Sequence, residues 1–97
     1  MQQLNQSEFE KRVLADKEHI LVDFFSPTCQ PCRMLDNKVF PQLTDLNIVK
    51  VNAVDCPELA QKYKINAVPA LIMFKNGEEV SRKLGYVEAE VIRNMFS

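Results

Sequence analysis

Residues 20–35, "ILVDFFSPTCQPCRML", pass from a nearly unbroken apolar run to two cysteines separated by two residues, and then to apolar residues at helical spacing. A short run of this kind reads as a parallel strand covered on both faces. Beyond it, Met34, Leu35, Val39 and Leu43 fall on one side of a helix. "NIVKVNAV" comes next, β-branched and alternating in part, and reads as a second strand. The order strand, cysteine pair, helix, strand is a βαβ unit. Few chains can place a Cys-x-Pro-Cys at such a junction without being built around it.

The remaining elements follow from local signals. Ser7 and Glu10 have capping-box spacing and Phe9, Val13 and Leu14 share a face, which predicts a helix over 7–16. Pro57 to Tyr63 reads as a short helix, because proline in the first turn costs no hydrogen bond. "ALIMF" and "EVSRKL" flank Lys75-Asn76-Gly77-Glu78, where Asn-Gly supplies the positive φ angles of a hairpin turn. "VEAEVIRNMF" closes as an amphipathic helix. The pattern is α/β, with a parallel start and an antiparallel end.

Composition narrows the function. A chain of 97 residues is expected to form one domain, 1–97, able to bury a core without staples. A net charge of -1 with no block of like charge points away from nucleic acid and from an acidic membrane surface. The start "MQQLNQSEFE" lacks a basic segment followed by an apolar run, and no stretch approaches the ~18 apolar residues of a span. A soluble, cytoplasmic protein is the expectation. Three cysteines cannot all pair within one chain and are too few for a secreted disulfide framework, so their use points to chemistry.

A Cys29–Cys32 disulfide would close a tiny loop worth about 2 kcal/mol before strain, a poor reason for the pair. Reversible redox chemistry is the better one. Cys29 lies where the unsatisfied N–H groups and positive end of a helix favour thiolate, the attacking species. Pro31 fits the first turn of that helix and holds the second sulfur close for intramolecular attack. Two packed cysteines spaced this way by chance remain the bland alternative, and the strand-to-helix context weighs against it. A zinc site would need His19 and Cys56 as further ligands. His19 precedes the strand while Cys29 follows it, roughly 20 Å away, so His19 reads as an exposed loop residue. Cys56 reads as a packed or partly exposed spare thiol.

These segments, with "KVNAVDCPELAQKYKINAVPALIMFKNGEEVSRKLG" and the closing helix, resemble the thioredoxin family over essentially the whole chain. The Cys-x-Pro-Cys motif alone is moderately specific. Joined to an aspartate six residues upstream, to Val68-Pro69 before a strand and to the Lys-Asn-Gly-Glu hairpin, it is highly specific. The resemblance implies a three-layer α/β/α sandwich, with a mixed five-stranded sheet flanked by four helices. It also implies reduction of protein disulfides through a reversible Cys29/Cys32 pair with no bound cofactor. Electrons would come from NADPH by way of a flavin-containing thioredoxin reductase. Disulfide-containing proteins and that reductase are the implied partners, and a monomer is the implied state.

Site residues divide between those read from the sequence and those carried by the resemblance. Asp23 interrupts an apolar strand between Val22 and Phe24, which argues for burial and a raised proton affinity. It resembles the family's buried acid, which would take the Cys32 proton through water. Lys50 matches the family lysine near that acid or is an ordinary strand lysine. Pro69 cannot donate to a sheet ladder and so belongs at a strand start or in a turn; the resemblance makes it a cis proline beside the cysteines. Val68 would then offer its backbone to an extended substrate segment, and Gly85 would permit close approach in the same groove or simply end a strand. Phe25, Thr28, Gln30 and Pro31 complete the expected docking surface.

The chain also departs from the family. Phe25 and Thr28 stand where thioredoxins usually carry tryptophan, and Gln30 stands in place of glycine. Asn37 replaces a helix proline, with Pro41 further on, and Lys64 replaces a glycine that ends the third helix, predicting a positive φ on a non-glycine residue. Gln30 leaves a disulfide oxidase or isomerase as an alternative activity. A thiol-independent binding module using the same groove is the alternative of a different class.

Overall fold

The structure, a computed structural model, describes residues 1–97. Five strands, β1 (Gln2–Gln3), β2 (Ile20–Phe25), β3 (Ile48–Asn52), β4 (Ala70–Lys75) and β5 (Glu78–Leu84), form one mixed sheet in the order β1-β3-β2-β4-β5. β1, β3 and β2 run parallel, whereas β4 is antiparallel to β2 and β5 to β4. Alternation along the strands sends side chains into two buried layers. Ile20, Val22, Phe24, Val49, Val51, Ile72 and Phe74 face one, and Leu21, Ile48, Leu71 and Met73 face the other.

Helices α1 (Gln6–Arg12) and α3 (Pro57–Lys62) cover the first face through Phe9 and Leu59. The second is covered by α4 (Ala89–Met95), through Ile92, and by the segment after the cysteines. That segment begins as α2 (Gln30–Met34), widens into a π turn over Leu35–Val39 and ends as a 3-10 turn over Phe40–Gln42. Leu35, Val39, Phe40 and Leu43 face the sheet from it. The result is the expected three-layer α/β/α sandwich with four helices.

Several local expectations are revised. The capping box is Asn5/Glu8, not Ser7/Glu10: the Asn5 side chain accepts from the Glu8 N–H, and Glu8 accepts from the Asn5 N–H, both at 2.9 Å. The helix therefore starts one residue earlier and ends at Arg12 rather than 16. Met34, assigned to the buried helix face, is only half-buried. His19 is in a loop but half-buried, edge-on to Phe96 with ring centroids 6.5 Å apart. Lys64 adopts φ 55, as the missing glycine predicts. Asn76 and Gly77 take φ 53 and 76 in the hairpin turn.

Candidate active site

The end of the sheet at which β2 finishes is also where β4 begins and β5 finishes, since Phe24 pairs with Ala70 and Ala70 with Leu84. The loop to Cys29, the Val68-Pro69 pair and Gly85 therefore emerge together. Such a position, outside the carboxyl end of a central strand, is where open α/β sheets expose reacting groups.

Cys29 and Cys32 form a disulfide, their Cα atoms 5.2 Å apart. Cys29 is the N-cap of α2, and its Sγ accepts the Cys32 N–H at 3.1 Å. Negative charge on that sulfur, once the disulfide opens, meets a donor already in place. Both cysteines are buried, Cys29 at 8% exposure and Cys32 at 2%, so Cys29 is the more accessible of the two. Pro31 lies in the first turn of α2, where its missing N–H has no intrahelical partner to lose. Thr28 and Gln30 are exposed on either side of Cys29.

The Val68-Pro69 peptide is cis. Val68 is half-buried, and the buried Pro69 accepts the Gly85 N–H through its carbonyl at 2.8 Å. Gly85 has φ +83 and open space where a Cβ would point. Its glycine is required by backbone conformation rather than by crowding within the chain.

Asp23 is completely buried, and neither carboxylate oxygen has a hydrogen-bond partner within the protein. Burial pushes its carboxyl up from 3.8 to about 7, Lys50 opposes that rise and Asp36 adds to it. The acid alternates with Leu21 on β2, so it faces the layer that carries the cysteine helix. Lys50 stands beside it in register on β3. The ammonium is committed elsewhere: Nζ lies 2.7 Å from both Asp36 carboxylate oxygens and 4.3 Å from the centroid of the Phe25 ring. Half-buried Phe25 is thus partly capped by a cation.

Asp36 has no place in the sequence reading. Its one signal is its position a turn beyond Cys32, and nothing in the linear order connects it with Lys50, 14 residues away. Cys56 is buried at the start of α3, and burial pushes its thiol up, so it is disfavoured as a nucleophile.

Fold and site together define a thiol-disulfide oxidoreductase of the class that carries its reactive pair at a strand-to-helix junction. The thioredoxin family model matches residues 1–97, and the chain belongs to that family. It is 36% identical over 90 residues to thioredoxin 1 of Synechococcus elongatus, covering 89% of this chain and 84% of that one. To the thioredoxin of Porphyra purpurea it is 32% identical over 96 residues, 95% of this chain and 90% of the relative. The crystal structure of Fasciola hepatica thioredoxin superposes with a TM-score of 0.83 at 30% identity, covering 98% of this chain and 96% of that one. Thioredoxins reduce protein disulfides, and this chain has the redox-active pair that the activity needs.

Proposed function

We propose that this thioredoxin attacks target proteins through Cys29, resolves through Cys32 and passes the resolving proton to Asp23. The observation that carries the assignment is the asymmetry of the two cysteines: Cys29 caps a helix and is the less buried, while Cys32 lies inside the turn and is almost fully covered. The Cys29 thiolate attacks one sulfur of a target disulfide, forming a mixed disulfide and releasing the other target sulfur as a thiolate. The Cys32 thiol then loses its proton to the Asp23 carboxylate through water, and its sulfur attacks Cys29 Sγ. The bond between Cys29 and the target breaks, the Cys29–Cys32 disulfide forms, and the second target thiolate leaves. Two electrons pass from the dithiol to the target, which ends as two thiols once its thiolates are protonated.

An acid with a proton affinity near neutrality suits this transfer, because it takes and returns a proton with little driving force wasted. Lys50 acts on Asp23 through its charge. The groove beside the cysteines, formed by Phe25, Thr28, Gln30, Pro31, Val68, Pro69 and Gly85, receives an extended segment of the target, with Val68 pairing to it as an added strand would.

In this account the oxidised pair is returned to dithiol by a flavin-containing thioredoxin reductase using NADPH, in a cytoplasmic setting, with the chain as a monomer. NADPH consumption in the presence of such a reductase and a disulfide protein tests the proposal. Turnover that requires both cysteines is expected. No turnover, with the pair instead equilibrating as an oxidant in a glutathione buffer, would replace reduction by the oxidase or isomerase alternative.

A further inference from the structure

Lys50 and Asp23 are neighbours in register across β2 and β3, and both oxygens of Asp23 are without a hydrogen-bond partner within the protein. An unattached ammonium there would be drawn to the buried carboxylate, whose other partner in register, Leu71 on β4, carries no charge. The ammonium is instead held by two 2.7 Å contacts to Asp36, which stands in the π turn one helical turn past Cys32. Such π turns recur at functional sites. The Lys50 side chain is only 14% exposed and the Asp36 side chain 37%, so the contact is partly buried on the lysine side.

We propose that Asp36 is a positioning residue for the resolving step: by anchoring the Lys50 ammonium it prevents an ion pair with Asp23 and keeps that carboxyl free to exchange a proton with Cys32. The charged groups acting on Asp23 are Lys50 from β3 and Asp36 from the π turn. Burial raises the carboxyl's proton affinity, Lys50 lowers it and Asp36 raises it, so removing Asp36 leaves burial alone to oppose the lysine. Both effects act in the same direction, toward an Asp23 held ionised. This role rests on Asp23 as the proton acceptor of the resolving step.

The test is a carbon-13 NMR titration of the Asp23 carboxyl in the oxidised full chain. It compares wild type, Asp36→Asn, Asp36→Glu, Lys50→Gln and the Lys50→Gln/Asp36→Asn double variant. Asp36→Asn is expected to lower the Asp23 midpoint by about one pH unit, in the range an approaching opposite charge produces. Asp36→Glu should restore most of it, and the shift should be smaller in the Lys50→Gln background. An unmoved midpoint, or an equal shift with and without Lys50, overturns the role at Asp36 itself. Asp36→Ser provides the same reading should the Asn variant not fold. The pH profile of mixed-disulfide resolution should move down with the midpoint. A shifted titration with an unshifted rate profile would instead overturn it at Asp23, by removing that residue from the proton transfer.

Discussion

Asp23 carries a cost that its neighbours on β2 do not. With its carboxyl raised from 3.8 to about 7 by burial, the folded chain keeps a proton that the unfolded chain releases. Between those two values the native state binds more protons than the unfolded one, so stability falls as pH rises. The stability is fully present below the unfolded value and lost by the time the native value is passed; the deficit is on the order of 4 kcal/mol as an upper bound, at 1.4 kcal/mol per unit. Asp23→Asn removes the titration while keeping the shape. Its advantage should grow from about pH 4 to about pH 7 and level off above, while mixed-disulfide resolution slows. Urea melts of the oxidised proteins across that range check the first half, and single-turnover kinetics the second. A pH-independent difference would mean that the fold does not desolvate Asp23. This acid was legible because a carboxylate inside an apolar strand has few physical explanations. Asp36 was not, because its importance lies in an approach to Lys50 across the fold that local pattern does not encode.

At the scale of elements, two positions test how backbone conformation was specified. Lys64 ends α3 with φ 55, a region where a Cβ is unfavourable. Lys64→Gly is expected to raise stability by ~0.5–1 kcal/mol, net of glycine's greater unfolded entropy, read as a higher urea midpoint with unchanged slope. Gly77 is constrained twice: its φ is +76, and a Cβ there would meet the Leu14 backbone carbonyl oxygen at 2.6 Å. Gly77→Ala should cost roughly 1–3 kcal/mol, because the obstacle is main chain that cannot swing aside. Unchanged denaturation midpoints in these variants would contradict the account of each turn. The hairpin itself was readable, since Asn-Gly has a specific backbone meaning. The crowding by Leu14 was not, being a contact between distant segments. The Asn5/Glu8 box that forms was missed in favour of Ser7/Glu10, because the two pairs have the same spacing and spacing alone does not distinguish them. The π turn likewise has no periodic signature, because Leu35 and Val39 suit an α-helix equally well.

Across the whole molecule, the two apolar layers explain why so much of the architecture could be read from one chain. β2 and β4 are buried on both faces, so their runs of apolar residues mark them as central without knowledge of their partners. β1 is the opposite case: two exposed glutamines pair with Val49 and Lys50, and nothing apolar marks them as a strand. Its existence was an implication of family resemblance, as was the cis Val68-Pro69 peptide. What the sheet accomplishes is to bring three separate connections to one end while keeping an unpaired acid in its interior. The assignment of the two sulfurs can be tested most directly by trapping. Cys32→Ser and Cys29→Ser variants, reduced and mixed with a disulfide-containing protein, are resolved on non-reducing gels. The Cys32→Ser protein should accumulate as a mixed disulfide through Cys29, because attack is intact and resolution is lost, while Cys29→Ser should form none. Equal trapping by Cys29→Ser would show that the covered sulfur attacks, and would contradict the division of roles that the helix cap and burial define.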